Sequence, residues 1–166
     1  MTEIGFSTPK NFNPVSWVVR KFTGSKVSHA FFVYQDEELE MRMVMEAHEL
    51  GFRLTPYDHF VKKNQIIGLF TPTKPIEVGL RYVAKRYLGT VYDYPGLFGS
   101  VVVIAGRWLH RKWRNPFRSS RNVFCSEAVY IALQKSPGYE CLTDDPDSVD
   151  PQLMMQYLEA GLGIKA

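Results

Sequence analysis

The chain has 166 residues, 45% of them hydrophobic and 22% charged, with a formal net charge of +3. That is globular composition at the length of one domain, taken here as residues 1–166, and it excludes a disordered chain and a general polyanion binder. Two cysteines exclude a disulfide framework, and the longest apolar run, residues 101–105, is far short of the roughly 20 residues that span a bilayer.

In chain order, Asn13-Pro14 supplies an N-cap and a first helical residue, and Val15, Val18, Val19 and Phe22 follow at helical spacing as far as Gly24. Residues 27–34 and 41–48 are β-rich or alternating runs divided by the acidic turn 35–38, which predicts an antiparallel hairpin. Thr55-Pro56 opens a polar helical turn through Lys63, and residues 66–70 read as a brief strand closed by Thr71-Pro72. Ile76, Leu80, Val83, Ala84, Tyr87 and Leu88 keep a period of 3.6 and stop at Gly89, which predicts a helix. Residues 92–108 are apolar and punctuated by glycine, with no assignable period. Phe124-Cys125-Ser126 leads into a helix over 127–135 ended by Pro137-Gly138, and the acidic loop 144–150 precedes a last helix over 152–160 stopped by Gly161.

Charge is unevenly distributed. Arg107, Arg111, Lys112, Arg114, Arg118 and Arg121 occur with no acid among them, and the segment reads as an exposed loop. Following the apolar stretch 97–109, it would suit an anionic membrane surface, although a buried helix followed by a solvated loop explains the same pattern. Nucleic-acid binding is weakly supported by Trp108, Trp113 and Phe117 among these arginines. The first residues lack the basic and apolar regions of a secretory signal, which predicts a cytoplasmic protein.

Cys125 sits at a predicted helix start, where unpaired N–H groups and the helix dipole favour thiolate and can hold an oxyanion. A small buried residue at a helix start is the plain alternative. A thiolate mechanism needs a base, and the histidines are His29, His48, His59 and His110. Strand alternation sets His29 on one face with Phe31 and Val33, and Glu46 on one face with Arg42, Val44 and His48. A polar ring on an apolar face needs a partner. Paired across the hairpin, Glu46 could bind one nitrogen of His29 and leave the other for Cys125, unless both are unrelated surface residues.

Residues 23–30 (Thr-Gly-Ser-Lys-Val-Ser-His-Ala), Met45-Glu46-Ala47, residues 89–94 (Gly-Thr-Val-Tyr-Asp-Tyr) and Phe124-Cys125-Ser126-Glu127 together resemble the permuted papain-like amidases of the YaeF/YiiX type, circularly permuted relatives of NlpC-type cysteine peptidases. The resemblance extends from about Val15 to the final helix, and residues 147–151 are similar to the family's acidic, proline-containing loop. It implies an α+β permuted papain-like fold, with a small antiparallel sheet packed against the nucleophile helix. It also implies Cys125 as nucleophile, His29 as general base and acid, and Glu46 as the group orienting the imidazole. Tyr92 matches a family tyrosine near the site and would assist an oxyanion hole or simply fill the core, while Asp93 would fix the local turn. The basic segment 107–121 matches no family motif.

The expected function is hydrolysis of an amide, peptide or N-acyl, through a thioester acyl-enzyme, with no metal or organic cofactor required. The alternatives are a thiol acyltransferase or lipid-directed hydrolase that meets a membrane through Arg107, Arg111, Lys112 and Arg114, and a non-catalytic binding module.

Overall fold

The structure is a computed structural model that describes residues 2–109, 113, 116 and 122–166. It is an α+β arrangement about an antiparallel sheet of six strands, β1 (Thr2–Pro9), β2 (His29–Asp36), β3 (Met41–His48), β4 (Gly51–Pro56), β5 (Asn64–Pro72) and β6 (Gly163–Lys165), in the order β4-β3-β2-β1-β5-β6. The helices are α1 (Pro14–Thr23), α2 (Tyr57–Lys63), α3 (Glu77–Tyr87), α4 (Tyr94–Trp108), α5 (Cys125–Gln134) and α6 (Pro151–Tyr157). Helix α5 packs on one face of the sheet, across β2 and β3, and is backed by α3 and α6; α2 covers the other face.

Both faces of the central strands are therefore buried, and alternation along β2 is between two apolar layers. Ala30 and Phe32 join the core beneath α5, whereas Phe31 and Val33 pack with Val44 and Phe60 under α2. The expected hairpin forms with Phe32 opposite Met45 and Val33 opposite Val44. Continued in the same register, Glu46 lies opposite Phe31 and diagonal to His29, on the α2 side.

Three strands depart from the sequence reading. Strand β1 lies between β2 and β5, where Ile4 and Phe6 fill the α5 side while Gly5 leaves room for the Phe31 ring; a Cβ there would lie 2.3 Å from that ring. Strand β4 follows β3 through a tight turn and pairs Arg53 with Glu46. At the turn Gly51 has φ +120°, and a Cβ would stand 2.4 Å from the Thr90 carbonyl oxygen, so glycine meets both requirements. The third is the short edge strand β6. The stretch that showed no period is helix α4, entered through Asp93, whose Oδ1 accepts the Gly96 N–H at 2.9 Å. Asp93 thus fixes the local turn, as expected.

The other boundaries shift by a few residues. Helix α1 has the expected caps, with Asn13 Oδ1 accepting the Ser16 N–H at 2.8 Å and Gly24 left-handed at φ 67°. Thr55-Pro56 closes β4 instead of opening a helical turn, and α2 begins at Tyr57. Helix α5 begins at Cys125, which gives the cysteine the first helical position. Helix α6 is capped by Asp150 and passes at Leu158 into a π turn. His110, Arg111, Lys112, Arg114, Phe117, Arg118 and Arg121 lie outside the described residues, and Arg107 and Trp108 are described only as backbone of α4. Among the described residues no helix is long and apolar enough to cross a membrane.

Candidate active site

The start of β2 is held by hydroxyls. Ser16 on α1 donates to Ser28 Oγ at 2.7 Å, and the Ser28 N–H donates to the Ser7 carbonyl at 3.2 Å. The next residue, His29, packs against Phe31 and Phe60 with ring centroids 5.9 and 6.1 Å away, which restricts rotation of the imidazole. Its Nε2 is 2.9 Å from Glu46 Oε2. The ring also hydrogen-bonds to the Cys125 thiol. With Nε2 engaged by Glu46, Nδ1 is the nitrogen left for Sγ.

Cys125 is 3% exposed, among apolar neighbours. Burial alone favours the thiol. The hydrogen bond and charge of His29 and the backbone N–H groups of Ala30 and Ser126 act against it and hold the Cys125 pKa below its ordinary value. Desolvation pulls His29 down, but its bonds to Cys125 and Glu46, together with their charges, raise it from 6.5 to about 10. The two shifts describe one coupled pair that favours thiolate and imidazolium.

Glu46 is 2% exposed, and burial would raise its pKa. The bond and charge of His29, followed by those of Arg53, instead lower it from 4.5 to about 2. Oε1 accepts from Arg53 Nε at 3.0 Å and Nη2 at 2.9 Å, with Thr55 Oγ1 3.5 Å away. Arg53 was missed by the sequence reading because β4 was missed. Its signal is the alternation of Phe52 and Leu54 with Arg53 and Thr55, directly after a turn.

Tyr92 lies beside the thiol and hydrogen-bonds to it; burial, with the Cys125 charge second, drives its pKa well above the ordinary value. Residue 92 is held by a parallel bridge to Val123, two residues before the cysteine. The α5 start is tied to the acidic loop by Ser126 Oγ, which donates to the Val149 carbonyl at 2.7 Å, and Glu127 Oε2 accepts the Phe124 N–H at 3.3 Å.

The structure thus brings Cys125, His29, Glu46 and Tyr92 together. His48 and His59 line the neighbouring cleft, where His48 Nδ1 accepts the Leu50 N–H at 3.2 Å. That cleft, of about 480 Å³, is bordered by His29 and Tyr92, by the residues after β1, and by α2. The cleft thus reaches the two side chains that contact the thiol.

The chain matches no model of a known protein family, and no curated protein matches it significantly.

Proposed function

We propose that this protein is a cysteine hydrolase of permuted papain-like type that cleaves an amide, peptide or N-acyl, through a thioester. The observation that carries this reading is the single imidazole bonded to both a buried carboxylate and a thiol at the first position of a helix, 2.9 Å from Glu46 on one side and hydrogen-bonded to Cys125 on the other. Buried core histidines need one hydrogen-bond partner; this one has a nucleophile and an orienting acid. The order along the chain, with His29 on a strand before Cys125 on a helix, agrees with the YaeF/YiiX resemblance.

In the proposed reaction, Cys125 thiolate attacks the amide carbon and the carbonyl electron pair moves to oxygen. The Cys125 N–H and the Tyr92 hydroxyl stabilise that oxyanion. His29 imidazolium gives its proton to the departing amine as the C–N bond breaks, leaving a thioester and a neutral imidazole. Water then gives a proton to His29 and attacks the thioester, and collapse returns the carboxylic product and the thiolate–imidazolium pair. Glu46 stays ionised throughout and holds the ring.

The test is an electrophilic thiol probe together with a panel of N-acyl and peptide amides. Wild-type protein should release amine with a transient acyl adduct on Cys125, and Cys125→Ala and His29→Ala should each remove turnover by about 10³-fold or more. Full turnover by Cys125→Ala would reject the reading.

A further inference from the structure

Helix α2 brings His59 and Lys63 to the cleft at i and i+4, hence on one helical face. Neither has an acidic partner among the described residues. The two carboxylates that line the cleft are already engaged: Glu46 by His29 and Arg53, and Glu49 Oε1 by the Asn13 side chain. The same cleft has an apolar wall of Pro9, Phe12 and Phe60, of which Phe12 is 80% exposed. An exposed Phe lining the same cleft as His29 and as two donors without an acidic partner among the described residues fits a ligand with an alkyl chain and an anion. The loop carrying Phe12 is anchored to α2, since the Lys10 N–H donates to the Lys63 carbonyl at 2.9 Å and Lys10 Nζ to the Val61 carbonyl at 2.7 Å. Chain and anion would therefore meet adjoining walls.

We propose that the cleft binds an N-acyl compound that also bears a free carboxylate, with the anion between His59 and Lys63 and the acyl chain along Phe12 and Phe60. The proposal rests on the hydrolase reading above and adds the substrate class. A single negative charge suits the site better than a phosphate dianion, because Arg53 is committed to Glu46 and leaves Lys63 as the one permanent cation lining the cleft without an acidic partner among the described residues.

The test measures equilibrium binding to Cys125→Ala protein at low salt and pH 7, so that it does not depend on turnover. N-decanoylglycine should bind about tenfold more tightly than its uncharged amide, N-decanoylglycinamide, since two exposed donors supply no more than that. It should also bind more tightly than N-acetylglycine. In the variant carrying His59→Gln and Lys63→Gln, acid and amide should bind within about twofold of each other while the preference for the long chain persists. Phe12→Ser should weaken the chain preference and leave the charge preference. Equal binding of acid and amide, charge preference surviving in the double variant, or no binding of either decanoyl probe would each overturn the proposal. Selective binding without turnover by wild-type protein would leave this site standing and reject the hydrolase reading; turnover of neutral amides alone would do the reverse.

Discussion

Arg53 on β4 donates Nε and Nη2 to the same oxygen of Glu46, at 3.0 and 2.9 Å, and leaves the other oxygen to His29. The buried carboxylate is thereby held between two cations, and charge alternates along Arg53, Glu46, His29 and Cys125. Each group stabilises the charged form of the next, so a thiolate is favoured in surroundings that would otherwise keep the thiol.

Because the guanidinium fork orients the carboxylate, Arg53→Lys should not substitute for it even though it keeps the charge. Turnover should fall about tenfold or more in Arg53→Lys, and further in Arg53→Ala, at unchanged KM, as the imidazole loses its fixed direction. Loss of the fork should also raise the Glu46 pKa, since Arg53 is one of the causes of its depression. Acid unfolding of Arg53→Ala should then begin at higher pH than in wild type, and an unshifted acid midpoint would contradict this role.

Tyr92→Phe keeps the ring and removes only the hydroxyl that bonds to Cys125. If that hydroxyl serves the oxyanion, kcat should drop by about 10² while KM and melting temperature change little. A stability loss with normal kcat would make Tyr92 a core aromatic, the other reading of its position.

The chemistry was easier to read from the sequence than the sheet that positions it. Period-two alternation and the helix start bring His29, Glu46 and Cys125 forward as candidates, each tolerant of an error of one or two residues in element boundaries, and the family resemblance is what selects them and implies their roles. Strand β1 escaped because Gly5 and Ser7 occupy the face that in most strands carries large side chains; the Phe31 ring fills the place of a side chain at Gly5. The charge on Arg53 hid a strand whose partner is a buried acid, and only the cross-strand register reveals it. Helix α4 has no period to find, because its sequence is apolar with interspersed glycine.

Iodoacetamide labelling separates the two cysteines by pH. Cys141 is exposed and serves as the internal reference, and alkylation of a thiol slows as its thiolate disappears with falling pH. Cys125 is buried, and its reaction is limited by access to Sγ, yet its lowered pKa should make its rate fall off at lower pH than that of an unperturbed thiol. Mass spectrometry of the two peptides would show the ratio of Cys125 to Cys141 labelling rising as pH falls. In His29→Ala that rise should vanish; if it persists, the imidazole is not what holds the thiolate.

Stability against pH carries the signature of the coupled pair, and the sign differs for each partner. His29 is raised from 6.5 to about 10, so its contribution is complete below 6.5 and is lost as pH rises through about 10. Cys125 is lowered from 9.0, so its contribution is complete above 9.0 and is lost as pH falls toward its folded value. Between 6.5 and 9.0 the two contributions therefore slope in opposite directions, that of His29 falling and that of Cys125 rising with pH. Wild-type protein should therefore have a flatter profile over that interval than either group alone would give, falling on the alkaline side through His29 and on the acid side first through Cys125. Below 4.5 Glu46 adds a further loss as pH drops toward about 2. Cys125→Ala removes the rising slope only, so stability should fall more steeply with pH above 6.5 than in wild type and the maximum should move acidward, to between about 4.5 and 6.5, for as long as Glu46 keeps His29 raised. Urea unfolding of both proteins at half-unit steps from pH 3 to 10 measures this, and parallel curves for the two would mean that folding does not shift the Cys125 pKa.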